Sequence, residues 1–125
     1  MGENMSTEKA KGTATLMING VEEKLKINHW AIAAIEEEKG FDFFKSLGSD
    51  MSFGKVSFLV WAGLLHTHAE LDSSTHEGRR IAHKKVCNML DGIPYPEVVR
   101  AVQEAIVNAL PDMGLSPKNE VKGEV

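Results

Sequence analysis

The run VSFLVWAGLL, residues 56–65, carries apolar side chains on two sides of a helix instead of one. At 3.6 residues per turn, Val56, Leu59, Val60, Gly63 and Leu64 fall on one stripe and Phe58, Trp61, Ala62 and Leu65 on a second. A helix apolar all round is ordinarily covered on every side. The second stripe therefore needs a cover, either from the rest of the chain or from another molecule. Ser52 is placed to cap this helix, which should run to about His66. Gly54 and Gly63 weaken it in isolation, so packing has to hold it.

Upstream, TATLMI and VEEKLKI alternate around Asn19-Gly20, the dipeptide best suited to a type I′ turn with positive φ at both central residues. Closure by two residues pairs Ile18 with Val21, Leu16 with Glu23 and Ala14 with Leu25 on one face. It leaves Thr13, Thr15, Met17, Glu22, Lys24 and Lys26 on the other. Glu23 interrupts the apolar face without an evident reason beyond an edge position. Asn28 is a suitable N-cap for a helix with Trp30, Ala31, Ala34 and Ile35 at helical spacing, and Gly40 sits where a left-handed C-terminal residue belongs. FDFFKSLG, residues 41–48, suggests a short amphipathic turn or helix with Phe41, Phe44 and Leu47.

After the loop THAELDSST, a helix from about His76 to Leu90 turns Ala82, Val86, Met89 and Leu90 inward, and Asp91-Gly92 stops it. The last helix begins at Pro96, a good first helical residue, and presents Val98, Val99, Val102, Ile106, Ala109 and Leu110 before Pro111. The expected fold is α+β and mostly helical: an N-terminal β-hairpin followed by four or five α-helices stacked over one face of a small sheet. Residues 12–110 would form a single domain, 1–11 a disordered N-terminal segment and 111–125 a flexible C-terminal tail.

Charge and composition narrow the function. A net charge of -4 across 125 residues argues against broad phosphate-backbone binding. One cysteine, Cys87, excludes an internal disulfide, no secretory leader opens the chain, and the apolar run is far below the ~20 residues that span a bilayer. A cytoplasmic protein is expected, with no membrane partner. The histidines invite a metal reading, above all His66, His68 and His76 around one loop and His83 with Cys87 four apart on a helix. Yet no HExxH or CxxC pair accompanies them, so neither a metal nor another cofactor is expected. Ser73, Ser74 and Thr75 lie near His76 without a nucleophile elbow, and Glu36, Glu37 and Glu38 read as a solvated helix face. No enzyme is expected. Arg79, Arg80, Lys84 and Lys85 line one broad side of a helix and could grip RNA or an acidic peptide. They have no interleaved aromatics for stacking, so a nucleic-acid-associated or regulatory role is the alternative reading only.

The second stripe offers another possibility, that Phe58, Trp61 and Leu65 stay partly open for a partner chain. Burying three such side chains is worth about 5 to 9 kcal/mol at roughly 1.5 to 3 each, against an association cost of about 4 to 15. Binding through them alone would be transient, so further surface such as Phe41, Phe43 and Phe44 or the C-terminal tail would have to join.

In order along the chain, LMINGVEEKLKINHWAIAAIEEEKG, VSFLVWAGLLH, AELDSS and VVRAVQEAIVNALP resemble the tail assembly chaperones of long-tailed bacteriophages and related gene-transfer-agent proteins. The resemblance covers about residues 14–110: a hairpin, a helix ending in acids and glycine, a "llwagLlh" type helix, then a Leu-Thr or Leu-Asp turn. It implies a small, mostly helical viral protein in the host cytoplasm that binds the tape measure protein and helps tail tube protein polymerise around it, without remaining in the virion. Self-association would fit such a role. Family members are often made in two lengths by ribosomal frameshifting, and the segment after Pro111 suits such a junction. The basic helix 76–90 departs from the pattern, where more acids would be expected.

Overall fold

The computed structural model describes residues 13–40 and 52–109. The expected terminal segments, Leu110 and the turn or helix over 41–48, with Phe41, Phe43 and Phe44, lie outside the described residues. Strands β1 (Thr13–Ile18) and β2 (Val21–Lys26) form an antiparallel hairpin. Helices α1 (His29–Lys39), α2 (Phe53–Leu64), α3 (His76–Met89) and α4 (Tyr95–Ala109) follow, with a 3₁₀ turn at Ala69–Leu71 between α2 and α3.

The hairpin register is the one that two-residue closure demands, with Ile18 opposite Val21, Leu16 opposite Glu23 and Ala14 opposite Leu25. Asn19 and Gly20 both take positive φ, +54° and +80°, as a type I′ turn requires. The pairs flanking such a turn exchange the ladder bonds, so the carbonyls of Thr13, Thr15 and Lys24 face outward from the sheet. All three are satisfied by side chains from helices or their ends: Asn108 donates to Thr13 at 2.8 Å, Arg100 to Thr15 at 3.1 Å, and the His66 ring to Lys24 at 2.7 Å. Val21, expected on the covered face, is 55% exposed beside the turn.

Side-chain caps set the helix starts. Asn28 accepts from the Ala31 amide at 2.9 Å, Ser52 from Lys55 at 3.4 Å and Thr75 from Gly78 at 3.0 Å. Helix α1 ends at Gly40 with φ +86° but ψ 162°, a mirror-extended conformation and not the left-handed helical one expected. Such a backbone is restricted to glycine even more strictly. Helix α2 stops at Leu64, two residues early, and α4 starts at Tyr95, one residue before Pro96.

One core unites these elements, and α2 runs through it. Every residue from Val56 to Leu65 is buried. Strand β2 approaches α2 closely at Gly63, where a Cβ atom would lie 3.1 Å from the Leu25 Cβ and 3.4 Å from its Cα. Helix α1, the 3₁₀ turn, α3 and α4 also pack against α2. Ala31, Ala34 and Ile35 of α1 are buried as expected, whereas Trp30 is not. From α3, Ala82, Val86 and Leu90 enter the core with Met89 half-buried against it. From α4, Val98, Val102 and Ala109 enter together with Ala101 and Ala105, two small residues that the sequence pattern did not single out.

Candidate functional site

The chain itself covers the second stripe of α2, which corrects the expectation of an open face at Phe58, Trp61 and Leu65. All three are buried, Trp61 completely. The Trp61 indole donates to the Leu71 carbonyl at 2.9 Å, across ten residues. Its ring lies on that of Phe58, with centroids 5.2 Å apart. Phe58 in turn meets the His83 ring edge-on at 5.8 Å, and the Lys39 ammonium stands 5.1 Å from its centroid. The cover is thus the 3₁₀ turn, α3 and the end of α1. The segment HAELDSST, read as plain loop, supplies a buried leucine and the acceptor for the indole.

Four of the histidines, His66, His68, His76 and His83, bond to other elements of the chain. Ser57 is fully buried on α2, donates to the Gly54 carbonyl at 3.1 Å and lies 2.8 Å from His83 Nε2. A hydroxyl that gives its one proton to the Gly54 carbonyl accepts from the ring, which makes His83 the donor of that pair. Burial, and after it the Lys39 charge, lowers the His83 pKa below its ordinary value. His76 Nδ1 meets Glu38 at 2.6 Å. Among the described residues, no three His, Cys, Asp or Glu side chains are placed to hold a metal ion, and no helix is long and apolar enough to cross a membrane.

His68 resolves the anomaly at Glu23. Its Nε2 pairs with the Glu23 carboxylate at 3.0 Å and its Nδ1 with Glu70 at 3.3 Å, so the lone acid on the sheet's apolar face ties β2 to the turn after α2. The Glu23 bond holds the His68 pKa above its ordinary 6.5; burial opposes this and Glu70 adds to it. A histidine with a raised pKa contributes stability fully below the unfolded value and loses it as pH climbs through the folded value; one with a lowered pKa, His83, gains as pH rises to the unfolded value. The two contributions together peak near pH 6.5. We expect thermal midpoints measured from pH 6.5 to 8 to fall for the native chain and to flatten in His68→Gln, which keeps a donor for Glu23 but does not titrate. An equal decline in both proteins would remove His68 as the cause.

The four basic residues of α3 do not share one face. Arg79 turns toward α1 and the 3₁₀ turn, where it meets Glu37 at 2.7 Å, Asp72 at 3.1 Å and Glu38 at 3.6 Å. Arg79, Glu37 and Asp72 line an open polar cleft of about 430 Å³ with Ser73 and Ser74. Three carboxylates against one guanidinium leave no surplus positive charge there for an anion. Arg80, Lys84 and Lys85 remain exposed on the outer side of α3 beside Ile81, which is 59% exposed. In the stretch EGRRIAHKK that isoleucine stands among cations, a signal visible in the sequence itself. No protein-family model matches the chain, and comparisons with curated proteins and with solved structures found no significant match.

Proposed function

We propose that the protein is a non-enzymatic tail assembly chaperone of the long-tailed phage type, acting in the host cytoplasm. It binds the tape measure protein, promotes polymerisation of tail tube protein around it and is absent from the finished virion. The observation that carries this reading is the joining in space of the segments that bear the resemblance. The tryptophan of VSFLVWAGLLH is bonded to the leucine of AELDSS, the glycine of the same helix lies against β2, and the arginine of VVRAVQEAIVNALP holds β1. Four pieces that are individually common thus pack as one interlocked unit, which supports the reading.

Client binding on this reading falls to exposed side chains and not to the second stripe of α2. Deleting the gene from its phage should abolish infectious tails, complementation should restore them, and mass spectrometry of purified virions should find tube and tape measure peptides without this chain. Normal tail number and length after deletion would end the proposal.

A further inference from the structure

Helix α3 divides its positive charge between two flanks. On the inner flank, Arg79 and His76 are matched by Glu37, Glu38 and Asp72. On the outer flank, Arg80, Ile81, Lys84, Lys85 and Asn88 form a stripe about 17 Å long with Glu77 at its N-terminal end, from the 1.5 Å rise per residue. Glu77 reaches Arg80 only at 3.5 Å, and neither lysine has a carboxylate within ion-pair distance among the described residues. Arg80 is held only by a long, exposed pair with Glu77, and Lys85 lies within electrostatic reach of Glu70, so the stripe keeps a surplus of positive charge on a chain whose net charge is -4.

Ile81 sits in the middle of this stripe and is more exposed than any other large apolar side chain described. It contributes little to the fold: more than half of its surface is open to solvent, and a β-branched residue is a mediocre helix former. An exposed apolar side chain flanked by a surplus of cations complements an acidic surface that has an apolar seam of its own. A nucleic acid would use the charges but leave Ile81 idle, and the stripe has no aromatic ring for a base to stack on.

We infer that the outer face of α3 is a docking surface for an acidic amphipathic helix of another protein. Ile81 enters its apolar seam, and Arg80, Lys84 and Lys85 meet carboxylates along its edges. The surface does not depend on the client being a tape measure protein. The probe is a fluorescein-labelled 21-residue peptide of three heptads with Leu at the two seam positions and Glu at most others, titrated by anisotropy with the full chain. Arg80→Glu/Lys84→Glu should weaken binding roughly tenfold or more and Ile81→Ser about fivefold, with Lys26→Glu on the hairpin near native. Bound peptide should slow amide exchange in α3, a readout that needs no variant to fold. A peptide with Ser for Leu should bind weakly, and added salt should weaken the Glu/Leu peptide.

Absent binding, equal binding by native and doubly reversed chains, or exchange protection elsewhere than α3 would overturn the inference. So would a 20-nucleotide oligouridylate that competes better than the peptide, which marks a nucleic-acid site. A dimer lost in sedimentation on Ile81→Ser would assign the face to a second copy of this chain. Loss of tails on gene deletion with no peptide binding would leave the chaperone role and remove this surface; the reverse result would do the opposite.

Discussion

Replacing Trp61 with aspartate should abolish cooperative unfolding altogether. The side chain is fully buried, stacks on Phe58 and donates to the Leu71 carbonyl. Truncating such a residue to alanine costs about 3 to 5 kcal/mol, a large part of the roughly 5 to 15 kcal/mol that stabilises an ordinary domain. Aspartate adds a carboxylate at a fully buried position. Trp61→Phe separates the two contributions, since it keeps most of the apolar volume and strands the Leu71 carbonyl, at about 1 to 3 kcal/mol. Urea titrations of the three variants should rank Phe above Ala, with no sigmoidal transition for Asp. A cooperative transition in Trp61→Asp would place the indole outside the core. Lost partner binding in that variant would report unfolding, so variants aimed at recognition belong on the outer face of α3.

Gly63→Val should be the next most damaging change. Glycine in a helix interior normally costs about 1 kcal/mol relative to alanine, so a helix designed in isolation would not carry it. Here the Cβ position is already 3.1 Å from the Leu25 Cβ and 3.4 Å from its Cα, and the hairpin's neighbouring residues are fixed by their register. Alanine gains helix propensity and meets a tight contact, which should leave it within about 1 kcal/mol of native. Valine must move the strand, and overpacking of this kind typically costs about 1 to 3 kcal/mol. Urea midpoints test the pair; equal stability of the valine variant and native chain would show that β2 yields freely.

The local elements were legible because their signals are local. Asn19-Gly20 with alternation on both sides specified the register, and Asn28 and Ser52 marked helix starts. What covers α2 was not legible, since a helical wheel shows which sides are apolar and says nothing of what lies on them. The answer resided in a three-residue 3₁₀ turn, too short to show any periodicity. Glu23 stood unexplained because its partner His68 is 45 residues away. Arg79 and Arg80 are adjacent in sequence and were grouped on one face. A turn of about 100° per residue, with Asp72 and Glu37 waiting on one side, divides them instead. Phe58, Trp61 and Leu65 were misassigned to a partner for the same reason that the second stripe was ambiguous: grease destined for a neighbour and grease destined for the chain's own later helices look alike.

The three hairpin carbonyls met by Asn108, Arg100 and His66 have a bearing on how this chain behaves at high concentration. A bare two-stranded ribbon is a template on which extended segments from other molecules can polymerise. Here a foreign strand seeking the Thr13, Thr15 or Lys24 carbonyl must first displace an amide, a guanidinium or an imidazole. Each capped carbonyl removes one acceptor on which edge-to-edge growth could start.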